Sequence, residues 1–517
     1  METWKIIVLS CYFTIMVILS VYGIHRYFLV YLFYKHKKSE PKPKRLFSDL
    51  PGVVVQLPVF NEALVVERLI DSVCAFDYPR ELLEIQVLDD STDETCDIAQ
   101  AAVDRWHAKG FDISRIHRTD RRGYKAGALE EGLKHTDKEF VTIFDADFVP
   151  KPGMIKEIIH HFTDDKIGMV QVRWGHINRT FSLLTRLQSI LLDGHFVIEH
   201  TARNRSGRFF NFNGTAGIWR RSCIEDAGGW HHNTLTEDLD LSYRAQLKGW
   251  QFIYAFREVA PAELPIEMEA FKSQQHRWAK GSIQTARKNL GEIWKSNVPM
   301  KAKVEATFHL TSNVNYVLMI IVSFLMLPAL LIRLNDPSAT RSFLFDLSIF
   351  MAATTSVLSF YLASQREAYI NWKRQILYFP MLLSLGIGLS VNNARAVLEA
   401  IFGHDVTFIR TPKYAITSQS EKKEARKTHR YRPQRALWVG LELFLGAYFV
   451  LITSIALYNG QLLTGFFLGL FMVGYLWVGS ASLFQFRKAP SPIAANCPGR
   501  GPKQLRPRMQ ESSRGMR

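Results

Sequence analysis

The residues whose types could do chemistry fall into four short clusters within the first 300 positions. They occupy positions 89–93, 145–147, 236–240 and 274–278. The first three are acidic, whereas the fourth combines an arginine with a tryptophan. Clusters so far apart in the chain act together only if the fold brings them to one place. The elements that carry them therefore decide whether they form a site.

The triplet Asp145-Ala146-Asp147 directly follows the apolar stretch 140–144. Carboxylates on alternate residues at a strand end can share a hard divalent ion with a diphosphate, and both Mg²⁺ and Mn²⁺ suit such oxygen ligands. The ion would neutralise charge that develops on a leaving diphosphate. A second triplet of this form includes Asp238 and Asp240, but it opens a helical pattern instead of ending a strand. The sequence therefore places the metal at Asp145 and Asp147.

Two of the acidic clusters allow more than one interpretation. Asp89 and Asp90 follow the apolar stretch 84–88 and can accept hydrogen bonds from a base or a ribose, although a helix cap by Thr92 or Asp93 is favoured for the cluster alone. Asp238 can serve as a general base for an acceptor hydroxyl. It can equally be an acidic first-turn residue behind a Thr236 cap. The residues alone do not choose between the two.

The fourth cluster, 274–278, presents Gln274, Arg277 and Trp278 on one face of a predicted helix. Arg277 can direct two donors at a diphosphate, and Trp278 offers a flat apolar surface to a sugar ring. The alternative is a partly buried tryptophan beside an arginine that reaches solvent. Lys125 can likewise meet a phosphate or remain a solvated lysine at a helix start.

The elements around these clusters alternate between short apolar stretches and helical patterns. Strands are predicted at 53–57, 84–88, 113–118, 140–144 and 167–172, and helices at 61–75, 93–109, 124–135 and 152–163. This alternation predicts a mainly parallel, doubly wound sheet. Ligands bind beyond the carboxyl ends of the strands in such sheets, and the first two acidic clusters lie there.

Membrane segments are predicted on both sides of this α/β region. The apolar run 6–33 is long enough to span a bilayer and precedes a basic stretch, so it is interpreted as an anchor whose following domain faces the cytosol. Four more spans are predicted at 305–333, 343–364, 436–457 and 462–486. The stretch 376–402 is predicted to lie in the interface or to re-enter, because it carries Arg395 and Glu399 and because crossing would place the basic segment 422–435 outside.

The net charge of +16 comes largely from basic residues that flank apolar segments, which indicates membrane lipid contact and no nucleic-acid partner. The five cysteines form no CxxC pair, so neither a zinc module nor a disulfide framework is expected. A transporter is disfavoured, since the apolar segments show no repeat.

The order and the amino-acid sequences of these clusters resemble glycosyltransferase family 2, in the inverting branch that includes cellulose, chitin and hyaluronan synthases. The nearest likeness is to cellulose synthase-like A and C proteins, which make β-mannan, glucomannan or xyloglucan backbones. The motifs that carry it are QLPVFNE, VLDDSTDET, GYKAGALEEGLKH, FDADF, FNGTAGIWRR, AGGW, TEDLDLSYRAQLKGW, ELP and QQHRWAKG. The resemblance is dense over residues 50–300 and looser beyond.

The resemblance implies an α/β GT-A (nucleotide-diphospho-sugar transferase) domain plus an α-helical transmembrane bundle. It assigns Asp238 as the catalytic base and gives metal binding, with Mg²⁺ or Mn²⁺, to Asp145 and Asp147. The implied donor-binding residues are Asp89, Asp90, Lys125, Asp145, Gln274 and Arg277. The implied acceptor-binding residues are Trp278, Asn213, Gly214 and Thr215. Phe408, Thr411 and Lys413 match a gating-loop pattern, FxVTxK, which the chain departs from at Arg410.

The function expected from this resemblance is β-glycosyl transfer, with inversion, from GDP-mannose or UDP-glucose. Processive synthesis of a β-linked polysaccharide such as β-1,4-mannan or glucan is favoured, and single transfer to a membrane lipid is the alternative. The expected domains are an anchor and linker (1–45), the cytosolic catalytic domain (46–300), two membrane helices (301–372), an interfacial helix with the gating loop (373–435), two more membrane helices (436–486) and a basic tail (487–517). The expected partners are the nucleotide sugar, a glycan or lipid acceptor and membrane lipid. The expected location is a bacterial inner membrane, or the Golgi in a eukaryote.

Overall fold

The computed structural model describes residues 3–334, 339–403, 413–415 and 436–488. The chain forms an α/β domain that packs against a set of long apolar helices. The first helix, α1 (Thr3–His36), belongs to the helical set although it precedes the α/β domain in sequence. The remaining helices of that set follow the α/β domain.

A seven-stranded mixed sheet forms the centre of the α/β domain, in the order β3-β2-β1-β4-β6-β5-β7. Its strands are β1 (Val53–Val59), β2 (Leu83–Asp89), β3 (Asp112–His117), β4 (Phe140–Ile143), β5 (Ile167–His176), β6 (Gly217–Arg220) and β7 (Gln251–Ala262). All neighbouring pairs are parallel except those of β6, which runs antiparallel to both β4 and β5. The five strands predicted from sequence are present, and β6 and β7 are additions to them.

Helices cover both faces of this sheet. They are α2 (Val66–Cys74), α3 (Thr95–His107), α4 (Tyr124–Lys134), α5 (Met154–Ile158), α6 (Leu183–Asp193), α7 (His200–Arg205), α8 (Arg221–Asp226), α9 (Glu237–Leu247) and α10 (Met268–Lys295). The strand β1 is apolar at nearly every position because its two faces enter two different cores: Val53 and Val55 pack in one, and Val54 packs in the other.

The sheet brings the predicted clusters to one edge. Strands β1 and β2 are paired in register to their last residues, Val59 and Asp89, and β4 pairs with the other side of β1. The acidic segments that follow β2 and β4 therefore leave the sheet at the same, carboxyl-terminal edge.

The helical set continues after α10. Its members are α11 (Met300–Thr311), α12 (Val314–Leu334), α13 (Ala339–Ala368), α14 (Phe379–Gly388), α15 (Ser390–Phe402), α16 (Ala436–Tyr458) and α17 (Leu462–Lys488). The predicted span 305–333 is in fact two helices, because the chain turns between α11 and α12 at residues 312–313. The predicted span 343–364 lies within α13.

Within the described residues, five helical segments are long and apolar enough to cross a membrane: Thr3–His36, Val314–Leu334, Trp372–Phe402, Leu437–Tyr458 and Leu462–Gln485. The third of these includes the stretch that the sequence prediction kept out of the bilayer. It consists of a short 3₁₀ helix, α14 and α15, and most of it is buried within the protein. The orientation of the helices and the number of crossings stay predictions.

The long helix α10 joins the two parts of the molecule. Lys272 is buried at its start, where its ammonium group lies 2.8 Å from Glu442 Oε1 on α16 and 3.1 Å from Ser482 Oγ on α17. Further along α10, Lys280 Nζ and His276 Nε2 each lie 3.2 Å from Glu399 Oε2 on α15. The bundle therefore fixes the helix that carries the Gln274–Trp278 cluster.

Candidate active site

A cavity of about 170 Å³ opens at the carboxyl edge of the sheet. Most of the residues predicted from sequence line it, although they come from distant parts of the chain. Those lining residues are Asp90, Lys125, Asp145, Asp147, Asn213, Gly214, Asp238, Gln274, Arg277, Trp278 and Lys413. All four clusters predicted from sequence thus contribute residues to one cavity.

Lys125 links two sides of this cavity. Its ammonium group lies 2.5 Å from Asp145 Oδ1 and donates to the Gly214 carbonyl at 2.8 Å. Burial lowers the pKa of Lys125, but Asp145 and Glu237 more than offset this, and the pKa is raised overall. Lys125 is therefore a partly buried, charged group inside the site, which disfavours the solvated-lysine interpretation.

Asp238 enters the cavity from the first turn of α9. A Cβ atom at Gly214, where φ is +80°, would come within 3.0 Å of Asp238 Oδ2, so only glycine leaves this carboxylate accessible. Burial, followed by the charge of Glu237, raises the pKa of Asp238 to about 7. A carboxyl group that titrates near neutral pH is suited to general-base chemistry.

The structure also disfavours the interpretation in which Thr236 caps the helix and Asp238 is only an acidic first-turn residue. The side chain of Thr236 makes no cap hydrogen bond, and its hydroxyl instead lies 3.3 Å from Thr285 Oγ1. The neighbouring Asp240 points away from the cavity and is held by Arg244, Lys288 and Asn289. Of the two aspartates in this triplet, only Asp238 faces the cavity.

Asp147 contacts a residue that lies far along the chain. Lys413 Nζ lies 2.6 Å from Asp147 Oδ2, and the next residue, Tyr414, donates its backbone N–H to Glu263 Oε1 at 2.9 Å. Lys413 belongs to the predicted gating loop, whereas Phe408 and Thr411 lie outside the described residues. The segment 413–415 thus closes one side of the cavity.

Asp145 and Asp147 also offer a donor set that fits a divalent cation. Each carboxylate pairs with an ammonium group: Asp145 Oδ1 lies 2.5 Å from Lys125 Nζ, and Asp147 Oδ2 lies 2.6 Å from Lys413 Nζ. Both carboxylates are therefore placed to attract positive charge. Both line the cavity, and both are hard oxygen donors of the kind that Mg²⁺ and Mn²⁺ prefer. The residues present are therefore compatible with the predicted metal.

The α10 cluster divides as its helical spacing predicts. Gln274, Arg277 and Trp278 line the cavity, whereas His276 turns toward Glu399 on α15. Burial raises the pKa of both Glu237 and Asp238, and Arg277 is close enough to both carboxyl groups to oppose part of that rise. Its guanidinium therefore contributes positive potential to the same site.

The two aspartates at the end of β2 have different environments. Asp90 lines the cavity, and the Arg118 guanidinium donates two hydrogen bonds to its carboxylate, of 2.8 and 2.6 Å. Asp89 is completely buried behind it and accepts from the Ser91 N–H at 2.9 Å and from Arg115 at 2.6 Å. Asp89 therefore shapes the loop and is not among the residues that line the cavity, so its predicted role in the donor site finds no support in this position.

Thr215 likewise stands behind the cavity wall. Its hydroxyl accepts from the backbone N–H of Asp145 at 2.9 Å, and the side chain is completely buried. Thr215 thus orients the segment Asp145–Asp147 and is not among the residues that line the cavity. Its predicted contact with an acceptor is not supported by this position.

Sequence reasoning missed an aromatic–arginine pair in the cavity. The guanidinium of Arg121 lies 3.3 Å above the ring of Phe60, and both residues line the cavity. Arg121 has a φ of 45°, a conformation that non-glycine residues rarely adopt. The available signal was an aromatic residue three positions after the predicted end of the first strand, which the structure extends to Val59.

Sequence reasoning also missed the network that holds Asn213. The Asn213 amide donates to His195 Nε2 at 3.0 Å, and its oxygen accepts from His200 Nε2. Burial lowers the pKa of His200 well below its ordinary value, so this histidine is neutral. His195 Nδ1 in turn lies 2.8 Å from Glu199 Oε2, and both residues belong to a π-helical turn, Gly194–Glu199. Such turns often occur at functional sites.

The network extends from Glu199 to the first helix of the chain. Arg203 joins Glu199 at 3.2 Å to Glu305 at 2.9 Å, and Glu305 lies 3.0 Å from His25 Nε2 on α1. A continuous set of polar contacts therefore connects the cavity wall with α1. No local sequence pattern indicates it, because its members come from four separate elements.

Comparison with known proteins agrees with this architecture. Residues 51–281 match the family model described as "Glycosyltransferase like family 2". The chain is 44% identical over 251 residues to glucomannan 4-beta-mannosyltransferase 1 of Oryza sativa subsp. japonica, covering 48% of each protein. It is 45% identical over 251 residues to glucomannan 4-beta-mannosyltransferase 2 of Arabidopsis thaliana, covering 48% of the chain and 47% of the relative. The chain thus matches about half the length of these curated relatives.

Solved structures give a weaker likeness. A mannosyltransferase from Pyrobaculum calidifontis, solved in complex with GDP-Man and Mn²⁺, is 18% identical, with a TM-score of 0.49, and covers 76% of the chain and 99% of that protein. A likeness this low says nothing of the ligands of the present chain.

The sheet, its acidic carboxyl edge and the helical bundle define a GT-A domain joined to membrane-type helices, as predicted. Residues 51–281 match the glycosyltransferase family 2 model, and the predicted resemblance is thereby confirmed.

Proposed function

We propose that this chain is a membrane-embedded glycosyltransferase that moves a sugar from a nucleotide donor to an acceptor hydroxyl with inversion. The observation that carries the proposal is the placement of Asp238, with a pKa of about 7, in the same cavity as Asp145, Asp147 and Arg277. One side of this cavity supplies a base, and the other supplies groups for a diphosphate.

In the proposed reaction, the Asp238 carboxylate accepts the proton of the acceptor hydroxyl. The hydroxyl oxygen bonds to the anomeric carbon while the bond from that carbon to the diphosphate oxygen breaks. The electron pair of that bond leaves with the nucleoside diphosphate, so one displacement turns an α-linked donor into a β-linked product. No covalent enzyme intermediate is required.

The other residues bind and orient the reactants. Arg277 and Lys125 compensate the negative charge of the diphosphate, and Trp278 stacks against a sugar ring at the cavity mouth. Asp145 and Asp147 would hold Mg²⁺ or Mn²⁺, which when bound neutralises the leaving diphosphate. Phe60 and Arg121 lie near the end of β1, where they can contact the base.

The names of the relatives support a mannosyl donor and a glycan acceptor. We therefore propose GDP-mannose as the donor and a β-1,4-linked mannan or glucomannan as the product, with processive synthesis preferred to single transfer. The five membrane-type helices among the described residues support an integral membrane location. The basic stretch that follows α1 is the reason for placing the catalytic domain in the cytosol. Transfer of a single sugar to a membrane lipid is the alternative.

The test uses membranes that contain the full chain, incubated with radiolabelled GDP-mannose, UDP-glucose and UDP-N-acetylglucosamine, each with Mg²⁺ or Mn²⁺. The expected result is an alkali-stable ladder of β-mannosidase-sensitive oligomers from GDP-mannose. Asp238→Asn should abolish the product while donor binding persists, whereas Asp97→Asn, on the exposed side of α3, serves as a matched control. A single sugar on an extractable lipid would favour the alternative, and near-normal turnover by Asp238→Asn would contradict the assignment of the base.

A further inference from the structure

A second cavity, of about 330 Å³, lies within the helical bundle and is separate from the catalytic cavity. Residues of α1, α12, α13, α14 and α17 line it, together with Leu191 at the end of α6. None of these residues belongs to the catalytic cavity, so this space needs an explanation of its own.

The two ends of this second cavity differ in chemistry. Polar residues of the lining include Tyr22 and Arg26 in the second half of α1, Asn313 and Tyr316 around the start of α12, and Tyr361 near the end of α13. Most of the remaining lining residues are apolar, among them Met16, Leu19, Met319, Met326, Leu470 and Phe471. The cavity therefore has a polar head region and an apolar body, which matches the shape of an amphiphile.

Arg26 is the charged residue of this lining. It lies on the inward face of α1, one helical turn after Tyr22 and Gly23, and Gly23 is where α1 packs closely against Ser356 of α13. No hydrogen bond or ion pair reaches its guanidinium from any residue that the structure describes. The adjacent His25, by contrast, turns to the opposite side and pairs with Glu305 at 3.0 Å.

An unneutralised arginine on an inward face of a membrane-type helix is costly, and such residues commonly mark a binding site. A neutral sugar chain would leave this charge uncompensated, whereas an anionic head group would pair with it. The depth is also suitable, because Arg26 lies ten residues, or about 15 Å, before the basic end of α1. In the proposed topology that position is near the cytosolic head-group region.

We infer that this cavity binds a membrane phospholipid with an anionic head group. Its phosphate lies against Arg26 and the nearby asparagine and tyrosine groups, and one acyl chain runs along the methionine-rich wall. Basic pockets between membrane helices on the cytosolic side are a known way to hold such lipids. The inference concerns a bound lipid and is independent of the proposed glycosyl transfer.

The experiment uses the purified full chain in a neutral detergent, with phosphatidylglycerol or phosphatidylcholine added and the bound lipid counted by native mass spectrometry. We expect wild-type protein to retain phosphatidylglycerol at least tenfold more strongly than phosphatidylcholine. Arg26→Gln should lose this preference, and Arg26→Lys should keep most of it. Arg333→Gln removes a membrane-helix arginine that does not line the cavity and should behave like wild type.

A cavity-filling variant protects the test against simple misfolding. Met319→Trp keeps Arg26 but occupies the apolar body, so it should release the lipid while the protein elutes as a single species with unchanged helix content. Equal retention of the two lipids by wild type, or unchanged retention by both Arg26→Gln and Met319→Trp, would overturn the inference. Displacement of phosphatidylglycerol by a neutral oligosaccharide such as mannohexaose would overturn it as well, because the cavity would then be a path for sugar.

Discussion

The pKa of Asp238 gives the sharpest test of the proposed mechanism. Burial and the neighbouring carboxylate of Glu237 raise this pKa to about 7, whereas Lys125 and Arg277 act in the opposite direction. Since only the ionised carboxylate can accept a proton, activity should fall below pH 7. At pH 6, roughly a tenth of the Asp238 groups would be ionised, so the rate should be about a tenth of its plateau.

The informative perturbation is Glu237→Gln, which removes a negative charge and keeps the shape of the side chain. A like charge sharing a site shifts a pKa by roughly one to two units, equivalent to about 1.4–2.7 kcal/mol. Removing it should lower the pKa of Asp238 to about 5–6. At pH 6, the ionised fraction would then reach at least about one half, and activity relative to its plateau would rise about fivefold over wild type.

The assay is the initial rate of nucleoside diphosphate release between pH 5 and 9, analysed as kcat/KM, which reports the groups of the free enzyme. Glu94→Gln, in an exposed position before α3, is the matched control and should leave the acid limb at pH 7. An acid limb that stays in place in Glu237→Gln, or moves to higher pH, would refute the assignment of Asp238 as the titrating base.

Three further predictions follow from the site. Asp238→Asn should raise the melting temperature at pH 8 by about 2 °C or more and less at pH 5. Because the folded-state pKa is raised from 3.8 to about 7, the wild-type carboxyl costs stability that grows as pH rises between these two values and is fully present at pH 8; a larger gain at pH 5 would contradict this. Lys413→Met should strengthen Mn²⁺ binding several-fold in the absence of nucleotide, because an ammonium group no longer competes for Asp147. Electron paramagnetic resonance measures this binding, and unchanged binding would show that Lys413 does not block the carboxylate. His195→Ala should raise KM for a mannohexaose acceptor about tenfold but not KM for the donor, because it removes the hydrogen-bond partner of Asn213. His135→Ala, at an exposed helix end, is the control. Equal effects on both KM values would indicate general damage to the protein.

Much of the fold could be predicted because its signals are local. Strands β1, β2 and β4 are apolar runs with helical patterns between them, and parallel strands buried on both faces require that composition. The four residues of β6 are too few to show a period, and β7 mixes exposed and buried positions with Arg257 and Glu258. Their pairing depends on the rest of the sheet being in place, which no local window contains.

The site could be predicted less evenly. Asp145 and Asp147 alternate at a strand end, and that spacing carries both side chains to the cavity edge. Asp89 and Asp90 are adjacent, however, so their side chains leave the strand on opposite sides and only one can face the ligand. The role of Arg115 in burying Asp89 depends on the pairing of β2 with β3, and sequence spacing alone does not indicate it.

Helix α10 connects the cavity of the α/β domain with the bundle of membrane-type helices. One of its faces carries Gln274, Arg277 and Trp278 into the cavity, while its other faces are fixed by Glu399 of α15 and by Glu442 of α16. Because Lys272 and Glu442 are both buried, their separation would leave uncompensated charges, so the bundle restrains α10 strongly. The position of the helix face that carries Gln274, Arg277 and Trp278 is therefore set jointly by the sheet and by helices more than a hundred residues further along the chain.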